Sequence, residues 1–306
     1  MRAALPPQVH VFVRDWLSAN HVLLKDERWG HVLVDTGYVT QSPLTLSLLR
    51  SPAGIGRAPL AKVVNTHGHS DHVGGNAALQ AAYGCPIAFP AAEAPLVDAW
   101  DTKALLYDYA DQDIARFAVD ERIDAGTLHE WGGLSWQALA APGHDMGALV
   151  FFNPDERILV SGDALWENGY GFVMPQVVEP GTLAAQRATL DMIAALGVRT
   201  VIPGHGEVFT DVDAALDRAY RRTDAFAADD ARMARYALKV NLTYHLLTGR
   251  TLLVADLPAY VERVGIYRDL NAAVLRLPPC DLAELLVGEL VRAGAVRIEA
   301  GRLHAA

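Results

Sequence analysis

A chain of 306 residues that is 51% hydrophobic has enough apolar material for a large core, arranged in one domain or two. Its formal net charge of −10 is uneven: residues 231–306 carry ten Lys/Arg against seven Asp/Glu, which leaves −13 on the remainder and argues against an extended groove for nucleic acid. No apolar stretch is long enough to span a bilayer, and the N-terminus turns polar too soon for a signal peptide, so a cytoplasmic protein is expected. The two cysteines, Cys85 and Cys280, lie too far apart for a disulfide framework and read as packing residues.

In chain order, Val9–Val13, His21–Lys25 and His31–Asp35 are strand-like runs that suit a meander ending at Thr36-Gly37. The pattern then predicts a helix over Pro43–Arg50, a strand over Lys62–Asn65 and a helix over Asn76–Tyr83. Strands follow at Pro86–Phe89, Leu134–Ala140, Ala148–Phe152, Arg157–Ser161 and Val198–Pro203, with a helix over Thr182–Leu196. Mixed elements in this order suggest sheets sandwiched by helices, an α/β class of fold. Asp211–Gly249 reads as one long or twice-broken helical segment, so residues 1–210 and 211–306 are taken as two regions. The second continues through Leu252–Val264 and a helix over Asp281–Ala293 to a two-strand pattern around Gly301, which together resemble a winged-helix module.

Chemistry concentrates in Thr66-His67-Gly68-His69-Ser70-Asp71-His72, where three histidines and a carboxylate crowd directly behind a strand. Imidazole and carboxylate are ligands that borderline cations such as Zn²⁺ take from proteins. The alternative is a helix-capping turn whose histidines bond backbone groups. Further candidates each follow a strand: His144 in Ala141-Pro142-Gly143-His144, Asp163 in Ser161-Gly162-Asp163, and His205 in Pro203-Gly204-His205. Loops at strand ends let a rigid sheet hold a site, and a neighbouring glycine lets backbone approach closely. Singly, each of the three also reads as a turn or core residue; the remaining histidines, His10, His21, His31, His129, His245 and His304, read as structural or surface residues.

The set His67-x-His69-x-Asp71-His72, then His144, Asp163 and His205, resembles the dinuclear ligand set of the metallo-β-lactamase superfamily over about residues 8–210. That resemblance implies an αββα sandwich with a C-terminal, mostly helical addition. It implies that His67, His69 and His144 hold one divalent metal ion, that Asp71, His72 and His205 hold a second, and that Asp163 bridges them. It also implies that Asp35, in Leu33-Val34-Asp35-Thr36-Gly37, supports the ligand loop from behind. Zinc is the expected metal, with iron or manganese as alternatives. Two cations roughly 3.5–4 Å apart can share a water, bring its pKa toward about 7 and present hydroxide as nucleophile. Asp71 and Asp163 are therefore the candidate catalytic residues; whether Asp71 also orients water or passes a proton to the leaving group stays open.

Class B1 lactamases of this fold use a cysteine at the second metal, whereas this sequence has histidines and aspartates only, as in the glyoxalase II, lactonase and RNase Z-like branches. The implied reaction is hydrolysis of an ester-like bond in a small-molecule substrate, with a thioester or lactone favoured. A phosphodiesterase or endoribonuclease, or a metal-binding regulatory effector, is the alternative. The helices after His205 resemble in placement the glutathione-binding helices of glyoxalase II, while the terminal module is similar to that of hydrolases related to β-lactamase-like protein 2. Substrate-pocket candidates come from the aromatic loop after Asp163, namely Trp166, Tyr170 and Phe172, with Trp16, Asn20 and Met174 as weaker candidates. The loop aromatics read equally as loop anchors. A homodimer through the C-terminal helices is compatible with the pattern, and neither membrane nor nucleic acid is an expected partner.

Overall fold

The computed structural model describes residues 5–306. Strands β1 (Val9–Phe12), β2 (His21–Leu24) and β3 (His31–Val34) form the meander, followed by α1 (Ser42–Arg50), β4 (Leu60–Val64), the one-turn α2 (Ser70–Val73) and α3 (Asn76–Tyr83). Then come β5 (Ile87–Pro90), α4 (Ala94–Ala99) and β6 (Glu121–Ile123). These six strands make one sheet in chain order, antiparallel through β3 and parallel from β3 to β6. The second sheet holds β7 (Leu128–Trp131), β8 (Leu134–Ala140), β9 (Leu149–Asn153), β10 (Ile158–Gly162) and, after α5 (Thr182–Ala195), β11 (Thr200–Pro203). Its order is β11-β10-β9-β8-β7, parallel only between β10 and β11.

Side-chain alternation explains why the sheets are covered on both faces. Val22, Val34, Val64 and Ala88 are register partners across four neighbouring strands, and all four enter the apolar layer between the sheets with Trp136, Phe151 and Val160. Their neighbours Leu23, Leu33 and Val63 point the other way, into a cluster shared with Leu49 of α1 and Leu79 of α3. On the second sheet Val150, Phe152, Leu159 and Val201 pack outward against Leu190 and Ile193 of α5. Two sheets face to face with helices outside is the αββα sandwich expected from the sequence. The elements it did not anticipate, α2, α4, β6 and β7, are short, and the two strands carry exposed residues such as Leu128, so no alternating pattern marks them.

Beyond β11 lie α6 (Val212–Ala227), α7 (Asp230–Leu247), β12 (Leu252–Leu253), α8 (Leu257–Arg263), α9 (Gly265–Leu270), α10 (Pro279–Arg292), β13 (Val296–Glu299) and β14 (Arg302–Ala305). The helical run 211–249 is broken once, not left whole or broken twice, because the Asp229 carboxylate caps α7 by accepting from the Arg232 amide at 2.8 Å. Ala215, Ala219 and Phe226 of α6, with Met233 at the start of α7, pack on the sandwich. From Ala237 onward α7 enters a separate core with Tyr260, Tyr267, Leu282 and Leu286. The same helix therefore belongs to both cores, and no flexible linker separates them. A three-stranded antiparallel sheet, β12-β14-β13, closes the chain. Cys85 is buried as a packing residue, whereas Cys280 is exposed, since it sits on the first turn of α10 away from that core.

Candidate metal centre

The carboxyl ends of β4, β8, β10 and β11 deliver the candidate ligands to one edge of the sandwich. His67 and His69 lie on the loop after β4, Asp71 and His72 on α2, and His144, Asp163 and His205 on the loops after β8, β10 and β11. They form two groups, His67–His69–His144 and Asp71–His72–Asp163–His205, each with ligand atoms within 4.8 Å of one another. Asp163 faces both groups: Oδ2 lies 3.3 Å from His144 Nε2, and Oδ1 lies 3.3 Å from His72 Nε2 and 3.9 Å from His205 Nε2. Asp71 Oδ2 stands 2.9 Å from His205 Nε2. Such closeness depends on Gly204, where a Cβ would come within 2.2 Å of Asp163 Oδ1.

Hydrogen bonds behind the cluster orient the rings. Asp35 has φ +59°, a left-handed conformation that Asp tolerates better than most residues. Its carboxylate accepts from the Thr66 amide at 2.9 Å and the Thr66 hydroxyl at 2.8 Å, and it faces His72 Nδ1 at 2.7 Å. Thr66 Oγ1 in turn takes His67 Nδ1 at 3.0 Å, so Thr66 couples two ligand rings to one carboxylate. His144 Nδ1 donates to the Phe172 carbonyl, which leaves the Nε2 lone pair pointing into the cluster. The Trp166 indole N–H donates to Asp163 Oδ1 at 3.0 Å.

Burial pushes His67 well below the usual histidine range and lowers His69 and His144 to about 4, so these rings are neutral at pH 7. Burial opposes charge on His72 as well, but the carboxylates of Asp35, Asp163 and Asp71 outweigh it and raise its pKa well above the ordinary value. Burial likewise disfavours an ionised Asp163; His72 and His205 overcome that and hold the carboxyl well below its usual range. The buried Nε2 atoms of His67 and His72 find no hydrogen-bond partner among the described residues. Neutral imidazoles with inward lone pairs, beside carboxylates that already draw a proton to His72, are a donor set that fits divalent cations.

The site opens into a cleft of about 510 Å³ between the sandwich and the C-terminal helices. Trp166 and Phe172 line it, as does Trp16, which stacks on His205 at 5.6 Å with the ring planes 4° apart. Tyr170 does not. It is fully buried with its hydroxyl 2.9 Å from Thr223 Oγ1, so it anchors the loop on α6 and offers nothing to a leaving group. Asn20 and Met174 are buried too: the Asn20 amide bonds the carbonyls of Pro203 and Gly206, and Met174 packs in the C-terminal core.

Sequence patterns gave no sign of Glu93 and Asp145 near the site. Burial first, then Asp145, pushes the Glu93 carboxyl well above its usual range, and Glu93 holds the Gly68 amide at 3.2 Å between two ligands. Asp145 Oδ2 lies 3.7 Å from His69 Nε2. The cleft wall on α7, including Tyr236, Val240 and Tyr244, was equally invisible, because helix periodicity does not say which partner a face meets. Position directly after His144 was the one available hint for Asp145.

The family model for the metallo-beta-lactamase superfamily matches residues 14–205, and every candidate ligand falls inside that match. The chain belongs to the metallo-beta-lactamase superfamily. A hydroxyacylglutathione hydrolase from Hyphomonas neptunium is 31% identical over 120 residues, which cover 39% of this chain and 40% of that protein. The chain thus spans about two-fifths of the length of that curated relative. A beta-lactamase domain protein from Burkholderia ambifaria shares the fold with a TM-score of 0.62 and 20% identity, covering 99% of this chain and 94% of that one. A crystal structure of a protein in a di-iron-bound form aligns with a TM-score of 0.55 and 24% identity, covering 69% of this chain and 98% of that chain. Among the described residues no helix is long and apolar enough to cross a membrane.

Proposed function

We propose that this chain is a dinuclear metal-dependent hydrolase that cleaves an ester-like bond, with small thioesters or lactones as substrates. His67, His69 and His144 would hold one cation, Asp71, His72 and His205 the other, and Asp163 both. The observation that carries this reading is the pair of ligand groups sharing Asp163 at one end of an apolar cleft. When bound, two divalent cations, zinc by preference, supply Lewis acidity and a water acidified toward neutral pH. The protein's own part is positioning. Asp35 and Thr66 hold the rings of His72 and His67, the Phe172 carbonyl fixes the His144 tautomer, and the Trp166 indole steadies Asp163. Asp71 lines the cleft 2.9 Å from His205, which supports a role either in orienting water or in passing a proton toward a leaving group.

The cleft's charges support an acyl substrate over a phosphodiester. Of its cations, Lys239 is paired with Glu289 at 2.6 Å, and Arg222 is held on the carbonyls of Tyr170 and Asn168 at 2.8 and 2.7 Å. The name of the Hyphomonas neptunium relative, a hydroxyacylglutathione hydrolase, supports a thioester. In this reading the C-terminal helices and three-stranded sheet form a winged-helix-like module whose role is to wall the cleft. The test is elemental analysis of purified protein, then assay of thioester, lactone, β-lactam and bis-aryl phosphodiester substrates with wild type and Asp163→Ala. Two metals per chain and thioester or lactone turnover lost in Asp163→Ala are expected. Fewer than one metal under replete conditions overturns the dinuclear reading, and turnover of the phosphodiester alone overturns the substrate class.

A further inference from the structure

We infer that the cleft binds the acyl side of the substrate, that this acyl group is an aliphatic chain longer than that of a small hydroxyacyl unit, and that Val240 on α7 and Leu290 on α10 help set its length. The inference rests on the hydrolase reading and refines its substrate. A small acyl group would need only the surroundings of the ligands. The cleft instead runs from His69, Asp71 and Asp163 to Leu247 of α7 and Leu290 of α10, in about 510 Å³, the range that holds most of a medium-sized ligand.

Its composition identifies the occupant. Leu106, Phe172, Val240, Leu247 and Leu290 contribute apolar side chains from both regions of the chain; Leu290 belongs to the C-terminal core, and Leu106 and Phe172 pack against it. Lys239 and Arg222 are both committed to protein groups, so a polar or anionic carrier gains little by entering. Such a carrier has a better place near Trp16, which is 58% exposed and stacked on His205 at the ligand cluster. The two ends of a thioester or hydroxy ester thereby part: the apolar chain lies along α7 and α10, and the polar thiol or alcohol leaves past Trp16. Hydrolysis balances simply, since water adds across the acyl bond to give the carboxylic acid and the free thiol or alcohol.

The segment that carries Leu106 and Ala110 on the cleft is bonded to the C-terminal module. Asn241 Nδ2 donates to the Ala110 carbonyl at 3.2 Å, and Asp111 lies 3.4 Å from His245 Nδ1 and 3.7 Å from the Arg263 guanidinium. Leu106 and Ala110 therefore stay opposite α7. A cleft walled by residues from both regions of the chain discriminates by length, because added methylenes gain burial only while the cleft has room.

The test uses the full-length, metal-replete protein and reads binding apart from turnover. Butanoate, hexanoate, octanoate and decanoate are titrated by calorimetry into wild type, Val240→Ala and Val240→Trp, with thermal melts confirming that each variant is folded. Affinity should rise roughly threefold to fourfold per added methylene until the cleft is full. Val240→Trp should weaken decanoate at least tenfold while leaving butanoate within threefold, and Val240→Ala should weaken octanoate severalfold. If Val240→Trp is unfolded, Leu247→Phe replaces it with the same expectation. Affinity that does not depend on chain length, or a length dependence untouched by these variants, overturns the inference. Hydrolysis of S-acyl-N-acetylcysteamine thioesters is measured in parallel. Turnover that is flat with acyl length removes the chain site and leaves the hydrolase reading standing, whereas no turnover at any length with length-dependent binding removes the thioester and keeps the chain site.

Discussion

Asp35→Asn is the sharpest probe of how the ligand loop works, since asparagine also tolerates φ +59° and nearly preserves shape. The Thr66 amide, 2.9 Å from Oδ1, still requires an acceptor, so the new amide must place its oxygen there and its NH₂ where Oδ2 was. That NH₂ then points at His72 Nδ1, 2.7 Å away in the wild type, and His72 must accept through Nδ1. Its proton moves to Nε2, the atom that faces Asp163 Oδ1 at 3.3 Å and would otherwise offer a lone pair to a cation. Disturbing a group behind a ligand costs about 10- to 100-fold in metal affinity, or roughly 1.4–2.8 kcal/mol. Competition titration with a chromophoric chelator should resolve two binding steps, the one that uses His72 weakened by that factor and the one that uses His67 weakened as well, since the Thr66 hydroxyl loses its acceptor at Oδ2. Wild-type affinity at both steps would refute the tautomer argument. Equal weakening of both, together with a large fall in the melting temperature of the chelated protein, would show a general structural role instead.

The chelated protein should lose stability as pH falls from 6.5 toward 4. His69 and His144 are depressed to about 4 by burial, so across that window the unfolded chain takes up protons that the folded chain refuses, with a slope of up to about 1.36 kcal/mol per pH unit for each. Glu93, raised by burial and Asp145, opposes this trend within the window, while the two histidines outweigh it; His72, raised well above its ordinary value, contributes in the opposite sense only at higher pH, and urea melts at pH 7 and 5 check the sign. Gly204→Ala should cost about 1–3 kcal/mol by overpacking against Asp163 and should reduce metal content, read by melting and elemental analysis. Tyr170→Phe should lower stability by about 1 kcal/mol, since Thr223 keeps its bond to the Ala219 carbonyl at 3.0 Å. Its kcat/KM should stay within about twofold, and a loss of tenfold or more would return Tyr170 to the reaction.

Most strands and helices of the sandwich were legible because each is a local pattern: a short, mostly buried run rich in valine and leucine, or a helix closed by a turn residue such as Gly84. The candidate ligands were legible for a related reason. Each follows a strand directly, so position along the chain already brings it to a sheet edge, and the structure gathers them within two groups. Tyr170 shows where such reasoning stops. An aromatic loop after Asp163 announces that rings lie near the site, but whether a ring turns outward, as Trp166 does, or inward to Thr223 depends on α6, some fifty residues later.

Sequence alone supplied the candidate donor set, because histidine and aspartate at strand ends carry their ligand chemistry wherever the chain puts them. The order of its strands and helices also pointed to sheets sandwiched by helices, and the resemblance of its ligand motif implied the αββα arrangement. Only the tertiary structure decided which face of α7 walls the cleft, that Glu93 and Asp145 stand behind the ligands, and that Thr66 ties two rings to Asp35. Those facts join residues that are distant in the chain or lie on uniformly amphipathic helices, and local periodicity has no term for the partner a side chain will meet.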